Sequence, residues 1–113
     1  MSKFILILRT DPALRTSLSP AEIQEIVERY RNWARAQAGK VVMEGSYKLA
    51  RTGRMMAAPG GKVTVKDGPY AETKDVIGGF FMVEAPDYEA AAAIAQTCPH
   101  LDDGSIEIRQ TDS

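Results

Sequence analysis

The sequence predicts an α+β domain in which an antiparallel sheet carries two helices on one face. The chain has 113 residues, enough for one domain with a single core. Six segments have the short apolar runs or the alternation that strands require. Two capped segments repeat their apolar residues at helical spacing. Because the strand-like and helix-like segments are interleaved along the chain, the α+β class is favoured.

The amino-terminal third predicts a central strand followed by a helix. Lys3–Leu8 is apolar on both faces, which is typical of a strand in the middle of a sheet. After a polar loop, Ser19, Pro20 and Glu22 have the pattern of a capping box with proline at the first helical position. Gly39 is a natural end for this helix. Its apolar stripe consists of Ile23, Ile26, Val27, Tyr30 and Ala34.

The middle of the chain predicts short strands joined by turns. Val41–Met43 is a short strand candidate, and Arg54–Ala58 is another. Lys62–Lys66 alternates polar and apolar side chains, as a half-buried strand does. Asp67-Gly68 predicts a turn directly after that strand. The extra strands in this region predict a hairpin inserted into the fold.

The remaining sequence predicts the longest strand, a second helix and an edge strand. Val76–Glu84 is the longest β signal, and its Gly78-Gly79 pair predicts a bulge or a close backbone approach. Asp87 can cap the helix that follows, and Pro99 ends it. Ser105–Arg109 alternates isoleucine with charged residues, which predicts a strand at an edge of the sheet.

The order of these elements, β-α-β-(β)-β-β-α-β, predicts a ferredoxin-like split βαβ arrangement with the hairpin inserted. The domain is expected to span residues 1–110, and residues 111–113 are expected to fray. Two helices can cover only one face of such a sheet, and the other face also carries apolar side chains. A second copy of the chain is the simplest cover, so the sequence predicts a homodimer.

Composition and motifs disfavour several classes of function. The formal net charge is -1 with no basic stripe, so nucleic-acid binding is not expected. No apolar run approaches the roughly 20 residues that span a bilayer, so no membrane association is expected. The lone Cys98 cannot form an internal disulfide, which favours a cytoplasmic location. No phosphate-binding or dinucleotide fingerprint is present, and Cys98 with His100 does not make a metal site, so neither cofactor nor metal is predicted.

One run crowds charged side chains ahead of the longest strand, and a diglycine segment follows it. The two read Asp67-Gly68-Pro69-Tyr70-Ala71-Glu72-Thr73-Lys74 and Gly78-Gly79-Phe80-Phe81. This pattern resembles the DGPF family, which belongs to the YCII-related superfamily of small bacterial proteins. The first strand, the helix start and the close of the chain agree with it. These segments are Phe4–Arg9, Ser19–Glu22, Cys98–Leu101 and Gly104–Arg109.

The resemblance implies a ferredoxin-like fold of the dimeric α/β-barrel type, with a dimer formed through the sheets. It also implies a pocket between sheet and helices or at the subunit interface. Some relatives are proposed enzymes built around a His–Asp pair, and others are encoded beside extracytoplasmic-function sigma factors. The histidine of the enzymatic branch lies near the first helix, whereas the single histidine of this chain is His100.

The charged run supplies the first set of candidate site residues. Asp67 is predicted to act as a general base or to anchor a ligand; the alternative is a turn former that bonds nearby backbone N–H groups. Tyr70 offers a hydroxyl for orienting a substrate, or simply packs beside the strand. Glu72 and Lys74 share a face if the segment is extended, either as ligand contacts or as a solvated pair.

Two arginines and the histidine supply the second set. Arg9 ends the first strand and Arg109 lies on the last, so the two are predicted to form an anion site if those strands are neighbours. Each is otherwise a surface charge. His100 is the only side chain that ordinarily titrates near neutral pH, and Asp102 and Asp103 lie close to it in sequence. It is predicted as an acid–base group, or alternatively as a surface residue in a polar loop.

These residues favour a homodimer that binds a small polar or anionic molecule. If the protein is an enzyme, proton transfer or hydrolysis is the expected reaction class, with Asp67 or His100 as the acid–base group. A regulatory or interaction module that works with a sigma factor is the alternative. A third possibility is a structural dimer whose charged run merely shapes the sheet.

Overall fold

The computed structural model describes residues 1–11, 18–68 and 75–112. Within these residues six strands and two α-helices follow one another in the predicted order. They are β1 (Ser2–Thr10), α1 (Pro20–Ala36), β2 (Val41–Lys48), β3 (Gly53–Ala57), β4 (Thr64–Gly68), β5 (Val76–Ala85), α2 (Tyr88–Ala95) and β6 (Ser105–Gln110).

Four of the strands form one antiparallel sheet in the order β2-β5-β1-β6. Strand β1 is central, because Leu6 lies opposite Phe81 on one side and opposite Ile108 on the other. The predicted central strand and the predicted edge strand are therefore both confirmed. With the β3–β4 pair set aside as an insertion, this order is that of the ferredoxin-like fold, and the predicted fold class is confirmed.

Both helices cover the same face of this sheet. The fully buried side chains of Phe4, Leu6 and Val83 form its centre, and each removes apolar area worth roughly 1.5–3 kcal/mol from water. The helices complete a single core by packing against these strands. They contribute Trp33 and Ala34 from α1, and Ala91, Ile94 and Ala95 from α2.

Local signals set the starts of both helices as predicted, and Gly39 follows the end of α1, but α2 ends at Ala95, before the predicted stop at Pro99. The Ser19 hydroxyl accepts a hydrogen bond from the Glu22 N–H at 3.1 Å, and the Glu22 carboxylate accepts one from the Ser19 N–H at 3.2 Å. Asp87 caps α2 through a 2.9 Å bond from the Ala90 N–H. After α1, Gly39 has a φ of +81°, a left-handed conformation that favours glycine at a helix end.

The opposite face of the sheet, which we call the open face, carries no helix among the described residues. It is apolar at its centre and charged along β6, where Glu107 and Arg109 lie opposite Ile7 and Ile5. On it Ile5 lies opposite Met82, and Ile7 lies opposite Phe80. All four side chains are half-buried in the single chain. The Tyr47 ring packs on Phe80 with ring centroids 5.9 Å apart and is itself largely exposed. The open face therefore has the composition of a surface that another molecule covers.

The diglycine segment of β5 has both features that were predicted for it. The pairing of β1 with β5 shifts register at this point, where Leu8 lies opposite Gly79 and Arg9 lies opposite Ile77. A Cβ placed on Gly79 would lie 2.8 Å from the carbonyl oxygen of Tyr47. A residue with a side chain would thus push strands β2 and β5 apart.

Strands β3 and β4 form a separate two-stranded hairpin, and the predicted turn at Asp67-Gly68 is wrong. Both residues continue β4, because Arg54 pairs with Asp67 and Gly53 pairs with Gly68 along the ladder. Cross-strand partners on β3 outweighed the local turn preference. Strand β2 is likewise longer than predicted and runs to Lys48.

Candidate functional site

An open cleft of about 370 Å³ lies where the end of β1 meets the turn before β6. Its volume is within the range of small-molecule sites. The charged residues that line it come from three separate parts of the chain, which the fold brings together. They are Arg9, Asp11, Asp75, Asp102 and Asp103.

Arg9 is held in this cleft by carboxylates on both sides. Its Nε and Nη2 atoms donate hydrogen bonds of 3.0 and 2.7 Å to the same oxygen of Glu107. Its Nη1 atom lies 3.6 Å from a carboxylate oxygen of Asp75. Arg109 reaches the other oxygen of Glu107 at 3.3 Å. The strands that carry the two arginines are neighbours, as expected, but Glu107 lies between the guanidinium groups.

The ion pair between Arg9 and Glu107 shifts the pKa of both side chains. The hydrogen bonds from Arg9, followed by the one from Arg109, lower the pKa of the Glu107 carboxyl below its usual value. The same bond to Glu107 raises the pKa of Arg9. Glu107 is therefore a carboxylate at neutral pH, and it offsets the positive charge that an anion would need at this point.

His100 lies behind the cleft and is only 3% exposed, so the alternative of a surface residue is wrong. The Nε2 atom is 2.7 Å from the carbonyl oxygen of Arg9, and Nδ1 is 2.9 Å from the hydroxyl of Tyr30. A carbonyl only accepts, so Nε2 carries a proton and donates it to that bond. In the neutral ring Nδ1 then accepts from Tyr30. The ring thereby fixes the backbone of Arg9 against helix α1.

Gly104 is required for this close packing. A Cβ on Gly104 would lie 2.5 Å from His100 Nε2 and 2.6 Å from the Arg9 carbonyl oxygen. Its N–H also donates a 2.9 Å bond to the His100 carbonyl. Any side chain here would therefore displace the histidine or the end of β1.

Asp67 lies outside the residues that line this cleft. Its side chain is 93% exposed, and a carboxylate oxygen lies 3.4 Å from Nη1 of Arg54 on the neighbouring hairpin strand. The fold does not bring Asp67 together with Arg9 and His100 in the described cleft. Its role as base or ligand anchor, like the acid–base role of His100, stays a prediction.

Three other predicted binding residues lie outside the described part of the chain. These are Tyr70, Glu72 and Lys74. Among the described residues no group of three or more His, Cys, Asp or Glu side chains is arranged to hold a metal ion. No helix in the same residues has both the length and the apolar character needed to cross a membrane.

Glu107, Gly104 and Tyr30 take part in this site, although sequence reasoning did not select them. Glu107 had a usable signal, since it alternates with Arg109 on one face of an edge strand predicted to lie near β1. Tyr30 was assigned only to the apolar stripe of α1. Gly104 gave no signal, because its role depends on how closely the His100 ring approaches β1.

The family comparison agrees with the fold and covers the whole of this site. The model of the YCII-related domain matches residues 4–111. A search of curated protein sequences finds no significant match to the chain.

Proposed function

This chain belongs to the YCII-related domain family, and we propose that it is a homodimer that binds a small polar molecule in the cleft beside Arg9. The observation that carries the proposal is that Arg9 is fixed from two directions. Glu107 holds its guanidinium and the buried His100 holds its carbonyl. This double support holds a half-buried charged group in a fixed position at the edge of the cleft, as a preorganised binding site requires.

The charges around the cleft favour a ligand that carries a positive or hydrogen-bond-donating group. The described residues that line the cleft include one guanidinium, that of Arg9, and four carboxylates. The carboxylates belong to Asp11, Asp75, Asp102 and Asp103. That guanidinium already bonds Glu107. Asp75 and Asp102 already pair with Arg9 and Arg29, and Asp11 and Asp103 have interactions of their own, so the negative charge is offset in part. An ammonium or hydroxyl group is therefore accommodated more readily than a carboxylate.

The function proposed for the cleft is binding and not catalysis, because no activated nucleophile or free base is seen among the described residues of the cleft. Both ring nitrogens of the chain's single histidine are already engaged. Proton transfer or hydrolysis at Asp67 or His100 stays a prediction. The test is an Asp67→Asn variant, which abolishes turnover if that group is catalytic.

The buried free thiol of Cys98 fits the proposed cytoplasmic location. Burial raises the pKa of this thiol.

An NMR titration of the isotope-labelled protein tests the cleft. Ethanolamine and glycolate are the probes, since they differ mainly in the charge of one end. Ethanolamine should shift the amides of Asp75, Asp102 and Gly104 saturably, and glycolate should not. Asp75→Asn should weaken ethanolamine binding by roughly threefold to tenfold.

The matched control is Asp67→Asn, which removes the same charge outside the cleft. It should leave ethanolamine binding unchanged. If it instead abolishes binding while Asp75→Asn has no effect, the site lies around the charged run and the cleft beside Arg9 is not the binding site.

The homodimer part of the proposal is supported by the open face, whose centre is Ile5, Ile7, Phe80 and Met82. A second copy that contributes the same apolar surface buries both faces at once. Light scattering should give twice the mass of one chain. Phe80→Lys should give a monomer, whereas Met56→Lys, which places the same charge on the hairpin, should leave the dimer intact. A monomeric wild type would contradict this part.

Protein interaction through the hairpin is a second candidate function. Its four large apolar side chains are each more than half exposed: Met55, Met56, Val63 and Val65. A two-stranded hairpin of this kind is marginal in water without a covering surface. A sigma factor is the partner predicted from the resemblance. Pull-down with the wild-type chain but not with Met56→Lys would support this candidate, and recovery of the chain alone would count against it.

A further inference from the structure

We propose a second binding site, for a small organic anion with an apolar body, in a groove between α1 and β2. The groove has a volume of about 410 Å³, which is within the range of small-molecule sites. Two arginines line it together with small and apolar residues. The lining is Arg31, Ala34, Arg35, Gly39, Val41 and Met43. None of these residues lines the cleft beside Arg9.

The floor of the groove is apolar and well packed. Ala34 is 4% exposed and Val41 is 6% exposed, so both belong to the core under the groove. Met43 is half exposed and forms a flexible side that can adapt to the shape of a ligand. Gly39 leaves one end open, since a Cβ placed there would meet nothing within 4 Å. An apolar ring or branched chain can therefore lie over Ala34 and Val41.

The rim of the groove carries positive charge that the described residues do not neutralise fully. Arg31 and Arg35 lie one helical turn apart, so their like charges are neighbours on α1, an arrangement that costs helix stability. Among the described residues Arg31 has one ion-pair contact, with Glu28 at 3.5 Å, and the side chains of Arg31 and Arg35 are exposed. Arg35 bonds the neutral amide oxygen of Asn32 at 3.2 Å. Within the described part of the chain, Arg35 has no carboxylate partner.

Arg29, on the same helix, has the carboxylate partner that Arg35 lacks among the described residues. Arg29 bonds Asp102 across the fold, and this bond raises the pKa of Arg29. The Arg35 guanidinium instead keeps donors that a carboxylate can bond in pairs. A ligand can place a carboxylate or sulfonate between Arg31 and Arg35 and its apolar part on Val41. Such a ligand matches both the charged rim and the apolar floor of the groove.

The direct test is an NMR titration of the full-length labelled chain with phenylacetate. Phenethylammonium, which has the same ring and the opposite charge, is the control probe. Phenylacetate should shift the amides of Ala34, Gly39, Val41 and Met43 saturably, and phenethylammonium should not. Shifts of equal size with both probes, or no saturable shift, would overturn the proposal.

Two variants separate a ligand contact from a role of Arg35 in helix α1. Arg35→Gln should weaken phenylacetate binding by roughly tenfold, because it removes a charged donor pair. Arg51→Gln, which removes an exposed arginine outside the groove, should leave binding unchanged. Met43→Ser should also weaken binding if the ring lies in the groove. Unchanged affinity in Arg35→Gln, with folding verified by its melting temperature, would overturn the proposal whether or not ethanolamine binds at the cleft.

Discussion

The cleft beside Arg9 and the groove beside Arg35 are similar in volume, about 370 and 410 Å³, but differ in what surrounds their arginines. Arg9 bonds Glu107 and lies near Asp75. Arg35 bonds only a neutral side chain among the residues described. The neighbours of an arginine, more than its presence, therefore decide the charge of the ligand it can receive. An anion is favoured where the guanidinium is unmatched.

The two regions also differ in how they are supported. The cleft depends on a buried polar contact, in which His100 joins helix α1 to the end of β1. The groove depends on apolar packing at Ala34 and Val41, with its charges at the surface. Substitutions behind the cleft should therefore cost much more stability than substitutions at the rim of the groove.

The largest effect is expected from His100→Ala. The change leaves the Tyr30 hydroxyl and the Arg9 carbonyl without their bonds to the ring and opens a cavity, so the free energy of unfolding should fall by about 2–4 kcal/mol. Urea denaturation measures it. Leu101→Ala, at the exposed neighbouring position, is the control and should cost less than about 1 kcal/mol. Equal losses in the two variants would show that His100 does not support the cleft.

A smaller loss is expected from Gly104→Ala. The new methyl group would contact His100 Nε2 and the Arg9 carbonyl, and the resulting shift should cost about 1–3 kcal/mol. Gly53→Ala is the matched control on the hairpin, where the nearest atom to the new Cβ is 3.8 Å away. If both substitutions lower the urea midpoint equally, the close packing behind the cleft is not the reason that position 104 requires glycine.

Glu107→Gln should give a pH-dependent loss of stability. The carboxyl pKa is lowered from the usual 4.5 by its bonds to Arg9, so the folded state gains stability above the unfolded-state pKa and loses it as pH falls through the folded-state pKa. The wild type should therefore melt higher than the variant at neutral pH. The difference should disappear well below pH 4.5.

The control measures the effect of Glu107→Gln in a chain that also carries Arg9→Gln. There the pH-dependent part of the melting-temperature difference should shrink. Glu107→Gln also makes the cleft more like the groove, since it removes the carboxylate to which the Arg9 guanidinium donates its hydrogen bonds. Glycolate should then bind the cleft more tightly than it binds the wild type. A melting-temperature difference that stays constant from neutral to acid pH would show that the Arg9–Glu107 pair contributes no stability.

The smallest effect is expected from Arg35→Gln. Relief of the like-charge contact with Arg31 and loss of a favourable charge at the end of α1 oppose each other, so the free energy of unfolding should change by no more than about 0.5 kcal/mol. The measurement is again urea denaturation. A loss well above that value would mean that Arg35 stabilises the helix and is not held available for a ligand.

The fold could be predicted because its signals are local. The Ser19–Glu22 capping box, the Asp87 cap and the apolar run of β1 each act within a few residues of themselves. The predicted turn at Asp67-Gly68 was wrong because pairing with β3 is not local. The open apolar face was also predictable, since two helices cannot cover both sides of a sheet.

The site could be predicted only in part. The expectation that Arg9 and Arg109 lie on neighbouring strands is confirmed, but the register that places Glu107 between them is fixed by the whole sheet, and their role in an anion site stays a prediction. The burial of His100 depends on Tyr30, which is 70 positions away in the chain. The unmatched charge of Arg35 becomes visible only when the positions of all described carboxylates are known.

The most direct test is one pair of NMR shift maps, with ethanolamine and phenylacetate titrated into the same labelled protein. We predict two separate sets of saturable shifts, around Asp75, Asp102 and Gly104 for the ammonium probe and around Ala34, Gly39 and Val41 for the carboxylate probe. If both probes shift the same amides, or if the ammonium probe binds at the arginine pair of α1, the charges of the two regions do not select their ligands.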